Sequence, residues 1–479
     1  MNHITSILIF IFLFLNFQNP ASAMSDSLIS REALMHTVEI LTSAEMAGRL
    51  PGHAGFTRAA SYMTEQFQNL GLIPADDDGY YQHMKVEYNA IPEPCGFELH
   101  LRSQIFMPRH GVDYTFRGFT GSGDLFAPVV FAGFGISMPE YGYDDFAGLD
   151  LKGKIVMVFK NNPDWKLPDT SWPGALPREK ANVAREHGAG AIIFVSAPFE
   201  RIGIPEVIGS VLHGPGEQPA DFPQLMISRE LADKILAESG NDLETLHNEL
   251  KNKQQPISFE TGSKAHISVR TEYNPEAPAF NIIGKIEGND AERKNEFIVI
   301  GAHLDHVGSQ CGTIYPGAND NASGSAAVLE IAKAFSLSET KPSRSLIFVL
   351  FTSEEQGLLG AGHFVENFPE PHKNIIAMLN FDCIAHGDSI QIGNGKSSPE
   401  LWELARKSDN EKLVVDRTWG GGGADLTPFF NAGIPGLYMV STNSYTYLHT
   451  PEDKPETLNP GLFEAIVRLG FRIIKELAE

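Results

Sequence analysis

Cysteine is scarce in this chain: Cys95, Cys311 and Cys383 are the three among 479 residues. No two stand in a CxxC spacing, so a thiolate zinc site is excluded and any metal must be held by imidazoles and carboxylates. Three is an odd count and no disulfide framework. One bridge with a leftover thiol and three buried free thiols both stay open. Positive charge is also short. Lys and Arg number 37 against 60 Asp and Glu, a formal net charge of −23. Such a surface repels a phosphate backbone and an anionic bilayer, which argues against a nucleic-acid partner. It suits cations and peptide amines, although solubility alone would account for it. Long apolar runs are missing too. Ile7 to Leu15 is too short to span a bilayer. Pro20-Ala21-Ser22-Ala23 follows with small-x-small spacing, the pattern of an export signal cleaved after Ala23, although no Lys or Arg precedes the run. The expectation is a periplasmic or secreted protein with no integral membrane segment in the mature chain.

What is present suffices for ordinary folded domains. Apolar residues make up 42% and charged residues 20%, and the length allows two or three domains. Ser30 to Leu41 and Phe56 to Leu70 have helical apolar spacing, the first with Ser30 as N-cap, the second ended by Gly71. Ala47 to Gly52, between them, reads as a structural loop. From Phe119 to about Arg270 the composition shifts to short buried strands, a helix at Glu179 to His187, a Gly/Pro-rich loop over Pro205 to Pro223, and a further helix over Leu231 to Leu246. This stretch gathers no ligand-like group of His and carboxylates and reads as an inserted module. From Phe280 strands and helices alternate, and Leu346 to Phe351 is apolar on both faces. The fold class expected is α/β: a mostly parallel central sheet covered by helices on both faces, with a β-rich insert. The expected organisation is a signal at 1–23, a first host segment at 24–118, the insert at 119–271 and the main host segment at 272–479.

Most potential ligands fall just after strands. His303 and Asp305 follow Phe297 to Ile300, Asp320 precedes a helix, Glu354 and Glu355 follow Leu346 to Phe351, Asp382 ends Ile375 to Phe381, and His449 lies beyond Gly436 to Val440. Ligands of open α/β sheets bind beyond the carboxyl ends of the strands. The charge arithmetic supports two metals. Two Zn²⁺ bring four positive charges; Asp320, Glu355 and Asp382 supply three negative ones, and a bridging hydroxide the fourth. Glu354 is then left over to move protons. Asp305 can accept the second ring N–H of His303 and fix its tautomer.

With those residues in view, the stretch from His303 to His449 resembles the M28 family of metallo-aminopeptidases. The motifs are His303-Leu304-Asp305-His306, Ala318-Asn319-Asp320-Asn321-Ala322-Ser323-Gly324, Ser353-Glu354-Glu355-Gln356-Gly357, Asn380-Phe381-Asp382 and His449-Thr450-Pro451-Glu452-Asp453. Ala47 to Gly52 and the helix to Gly71-Leu72 fit as well, and the insert is similar to a protease-associated domain. The resemblance implies two zinc ions: one held by His303 and Asp382, the other by Glu355 and His449, with Asp320 bridging and Glu354 as general base. It implies peptide substrates. Family members often place an oxyanion-stabilising Tyr before the last ligand His. That position is Leu448 here, which leaves Tyr447 as the candidate, with Tyr445 beyond it.

Other His residues are read as lying outside the ligand set: His306, His363, His372 and His386. Gly420 to Gly423 lacks the spacing of a phosphate cradle and reads as a loop beside the cleft. An exopeptidase releasing N-terminal residues is the leading reading. The alternatives are a carboxypeptidase for acidic C-terminal residues, for which Arg344 and Arg417 are the basic residues near in sequence, and a receptor or scaffold on a peptidase fold.

Overall fold

The computed structural model describes residues 25–74, 79–167, 170–173, 177–198, 203–214 and 216–479. The export signal expected at 1–23 lies outside the described residues. Two eight-stranded sheets organise the chain. The first runs in the order Ile73–Pro74, Glu272–Ile286, Ser345–Phe351, Phe297–His303, Ile375–Phe381, Gly436–Ser441, Ile390–Gly393, with Tyr81–Ala90 also on Glu272–Ile286. Its four central strands, from Ser345–Phe351 to Gly436–Ser441, are parallel; both flanks are antiparallel.

Alternation along these strands explains the layers. Ile298, Ile300, Leu346, Phe348 and Leu379 enter one core with Arg31–Leu41, Ala54–Asn69, Ser323–Ser336 and Pro460–Ala478. Val299, Ile347, Val349, Phe351 and Met378 enter the opposite core, where Phe364 and Phe429 bring in Leu359–Asn367 and Leu426–Asn431. A strand buried on both faces has no polar side to spare, which is why these segments are continuous apolar runs.

The second sheet orders Ile105–Phe106, Gly96–His100, Ser258–Val269, Gly123–Ala132, Ile155–Phe159, Ala191–Val195, Gln224–Ile227 and Tyr114–Phe116. Three of these strands lie ahead of residue 119, so the sheet takes in more chain than the 119–271 insert read from composition. The single helix expected over Leu231 to Leu246 is two, Arg229–Ala237 and Leu243–Lys253. Gly240 turns the chain at φ +78°, and Asp242 caps the second helix through the Thr245 amide. Ser30 caps the first helix as expected, accepting from the Ala33 amide.

The second sheet is tied to the first around the ligand-bearing loops. Cys95 and Cys311 are disulfide-bonded and Cys383 is a buried free thiol. Arg178 on Pro177–Glu186 makes a bidentate contact with Glu87 on Tyr81–Ala90, at 3.0 and 3.1 Å. The Gly209 amide donates to the carbonyl of His449 at 2.8 Å. Among the described residues, no helix is long and apolar enough to cross a membrane.

Candidate metal centre

The parallel strands deliver their polar residues to one end of the sheet. His303 is the last residue of its strand, Asp382 follows Ile375–Phe381, and Glu354 and Glu355 sit in the turn after Ser345–Phe351. Asp320 lies in the Ala318–Ala322 turn that feeds Ser323–Ser336, a helix pressed against the same strands. His449 arrives from the loop beyond Gly436–Ser441.

These residues meet in two clusters that share Asp320: His303, Asp320 and Asp382, and His306, Asp320, Glu355 and His449. Asp320 faces both ways. Its Oδ1 is 3.3 Å from His303 Nε2 and its Oδ2 is 3.0 Å from His449 Nε2. Asp382 Oδ1 stands 3.4 Å from His303 Nε2, and Glu355 Oε2 stands 2.9 Å from His449 Nε2. Donors about 2.0–2.2 Å from one cation at tetrahedral angles stand about 3.4 Å apart; the His303 cluster has that spacing at 3.3 and 3.4 Å, and the His449 cluster, at 3.0 and 2.9 Å, is tighter.

The electrostatics point the same way. Burial alone would drive His303 and His449 neutral, but the surrounding carboxylates, Glu354 foremost for His303 and Glu355 for His449, hold both well above the usual imidazole range. Burial would raise Asp320, yet the two imidazoles hold it well below its ordinary value. The residues by themselves are short of positive charge, which is the condition a pair of divalent cations meets.

Glu354 belongs to neither cluster. Burial, and then the carboxylates of Glu355, Asp425 and Asp382, push its pKa well above the carboxylate range against the opposite pull of His303. Asp305 acts differently from the expectation. His303 Nδ1 is 3.2 Å from the Asp305 backbone carbonyl and 3.7 Å from its carboxylate. A carbonyl only accepts, so Nδ1 carries the proton and Nε2 is free to bind a cation. The Asp305 carboxylate instead accepts from the amides of Glu354 and Glu355, at 3.1 and 3.4 Å, and so holds the turn that carries both.

His306 is buried inside the site, with Nδ1 2.9 Å from Glu355 Oε1. The other three histidines lie apart: His363 contacts Asn367, His372 the Val365 carbonyl, and His386 the Thr457 carbonyl. Tyr447 packs its ring on His386, with centroids 5.2 Å apart. Tyr445, not Tyr447, reaches the metal end of the sheet: its hydroxyl is 3.4 Å from that of Tyr438, which donates to Asp382 Oδ2 at 3.2 Å. Burial and the nearby Cys383 and Asp382 push the Tyr445 phenol up, so it stays a donor. Asp425, just after the Gly420–Gly423 run, is fully buried, and neither of its carboxylate oxygens has a hydrogen-bond partner among the described residues. No spacing in the chain singles out Tyr445 or Asp425; both are placed by the long-range path of their loops.

An α/β sheet with a parallel centre and a candidate metal site at the carboxyl ends of those strands is a class of hydrolase architecture. Residues 281–473 match the model of peptidase family M28 and residues 123–235 that of the PA domain. The chain is 30% identical over 271 residues to leupeptin-inactivating enzyme 1 of Streptomyces exfoliatus, covering 54% of this chain and 57% of that protein. It is 26% identical over 401 residues to a glutamate carboxypeptidase 2 homolog of Caenorhabditis briggsae, covering 68% and 50%. The chain thus spans about half the length of these curated relatives. Its fold is that of a zinc aminopeptidase from Bacillus subtilis, with a TM-score of 0.62 over 94% of this chain and 96% of that one at 21% identity.

Proposed function

We propose that this protein is a zinc-dependent exopeptidase that releases N-terminal residues from peptides. The observation that carries the reading is the placement of Asp320, whose two oxygens face His303 and His449 at 3.3 and 3.0 Å. His303 and Asp382 would hold one zinc, Glu355 and His449 the other, and Asp320 would bridge them; His306 stands behind Glu355. When bound, such a pair supplies an activated water and a sink for charge on the scissile carbonyl oxygen.

The chain's own groups do the rest. Glu354, kept out of both clusters, takes a proton from the attacking water on its carboxylate and hands it to the leaving amine nitrogen. Burial and the neighbouring carboxylates raise its pKa, which strengthens it as a proton acceptor. Tyr445 donates its phenolic O–H toward the oxygen on which charge develops. The surrounding carboxylates favour a substrate ammonium, which a free N-terminus supplies. Export from the cytoplasm is part of this proposal, on the strength of the first 23 residues and the Cys95–Cys311 bridge.

The carboxypeptidase alternative needs a cation near the site. Arg344 is engaged by Glu296 and the Leu477 carbonyl before the start of Ser345–Phe351, at the opposite end of that strand from Glu354. Arg417 is exposed on the loop before Trp419. Neither supports recognition of an acidic C-terminus. Metal analysis together with hydrolysis of aminoacyl and N-blocked peptides tests the reading. Two zinc per chain and rejection of blocked termini are expected; blocked peptides cleaved at equal rate would overturn the aminopeptidase assignment.

A further inference from the structure

Arg49 is fully buried, yet its guanidinium finds no carboxylate partner among the ion pairs of the described residues. It donates only to backbone carbonyls: Nε to Leu304 at 2.8 Å, Nη1 to Leu41 and Pro316 at 2.7 Å each, and Nη2 to Gly317 at 2.9 Å. Leu304 follows His303, and Pro316 and Gly317 open the turn that presents Asp320. The backbone around Arg49 grips the same loops. Its own carbonyl accepts from the His306 amide at 3.2 Å, and the Gly48 carbonyl accepts from the Gly308 amide at 2.9 Å. Gly48 has φ +70°, and a Cβ there would lie 2.1 Å from the Gly308 oxygen, so the turn is pressed flat onto the His303 loop.

The other side of the Asp320 turn is held by Asp453. It is buried, and its Oδ1 and Oδ2 accept from the amides of Asn319 and Asp320 at 2.9 and 3.1 Å, while its carbonyl accepts from Ala318 at 3.1 Å. Asp453 lies on the His449 loop, and its amide bonds the Thr450 carbonyl at 3.2 Å. A continuous chain of hydrogen bonds therefore runs from the His303 loop through Arg49 to the carbonyl side of the Asp320 turn, and from its amide side through Asp453 to the His449 loop.

We infer that Arg49 and Asp453 are a pair of positioning residues that hold the three ligand-bearing loops in register, so that Asp320 presents one oxygen to each cation. The inference rests on the two-cation reading of the site. Burying a guanidinium against neutral acceptors is expensive. A loop that only needed closing could be closed by apolar contact, whereas a fixed cation among Asp305, Asp320, Glu355 and Asp453 also offsets their mutual repulsion. Groups behind metal ligands govern metal affinity by about 10–100-fold.

The test uses the full chain with Arg49→Met, Arg49→Lys and Asp453→Asn, stripped of metal and titrated with Zn²⁺ by calorimetry and with Co²⁺ by visible absorption. Wild type is expected to take two cations. Arg49→Met and Asp453→Asn are each expected to weaken uptake by about 10–100-fold and to change the cobalt spectrum, with Arg49→Lys recovering part of the affinity. Asp453→Asn keeps the shape of the side chain and reads the same clamp if Arg49→Met does not fold. Variants that melt earlier but bind two cations with unchanged affinity and spectrum would overturn the inference alone. A wild-type chain that takes up no divalent cation would overturn both the metal reading and this inference.

Discussion

Tyr438 connects Tyr445 to Asp382: its hydroxyl donates to Asp382 Oδ2 at 3.2 Å and lies 3.4 Å from the Tyr445 hydroxyl. Tyr445 is 38% exposed, so one ring spans from solvent to the metal end of the sheet. Replacing Tyr445 with Phe is expected to lower kcat by about 100-fold, with KM within a few-fold of wild type. Tyr447→Phe, whose ring rests on His386, is expected to leave kcat near wild type. Steady-state kinetics of the two variants checks the assignment, and the reverse ranking would move the donor to Tyr447.

Glu354→Gln separates base from ligand. Zinc content is expected to remain at the wild-type level while kcat falls by about 10²–10⁴-fold. Metal analysis beside the kinetics decides; parallel loss of zinc would make Glu354 a ligand.

His449→Ala is expected to remove one cation per chain and to leave the His303 and Asp382 cluster loaded. Chelation of wild type is expected to abolish turnover reversibly and to lower the melting temperature. A ligand at 100 times its Kd adds about 2.7 kcal/mol of stability, so the shift is measurable by calorimetry.

The Arg178–Glu87 contact makes attachment of the second sheet sensitive to acid. Burial raises the Glu87 carboxyl, but hydrogen bonds from Arg178 and Tyr273 prevail and hold it below its ordinary 4.5. A carboxyl depressed in the folded state stabilises fully above its unfolded pKa and loses that contribution as pH falls through the folded value. Stability is therefore expected to drop below about pH 4.5. Arg178→Met is expected to cost about 1–3 kcal/mol at neutral pH and to shrink the acid-side drop, as urea unfolding across pH would show.

Paired Cys95→Ser and Cys311→Ser substitution is expected to reduce stability by about 2–4 kcal/mol, because the bridge closes a long loop in the unfolded chain. Unfolding of the oxidised protein and the double variant, compared in denaturant, measures this.

The central strands were legible because each is a local run of apolar residues, and several candidate ligands because they sit at a short offset from a strand end: Glu354 and Glu355 three and four residues past Phe351, Asp382 one past Phe381. The break at Gly240 was local too, and the apolar spacing on both sides hid it. Arg49 looked like part of a structural loop, since nothing near it in the chain names Leu304 or Gly317 as its acceptors.

By itself the sequence determined the α/β alternation and the apolar central strands, since these follow from short-range periodicity and residue type. The tertiary structure alone decided that Asp320 faces both His303 and His449, that Tyr445 rather than Tyr447 points inward, and that Cys95 pairs with Cys311. Each of those depends on where loops far apart in the chain come to rest, and that is set by packing across the sheets, which no local pattern encodes.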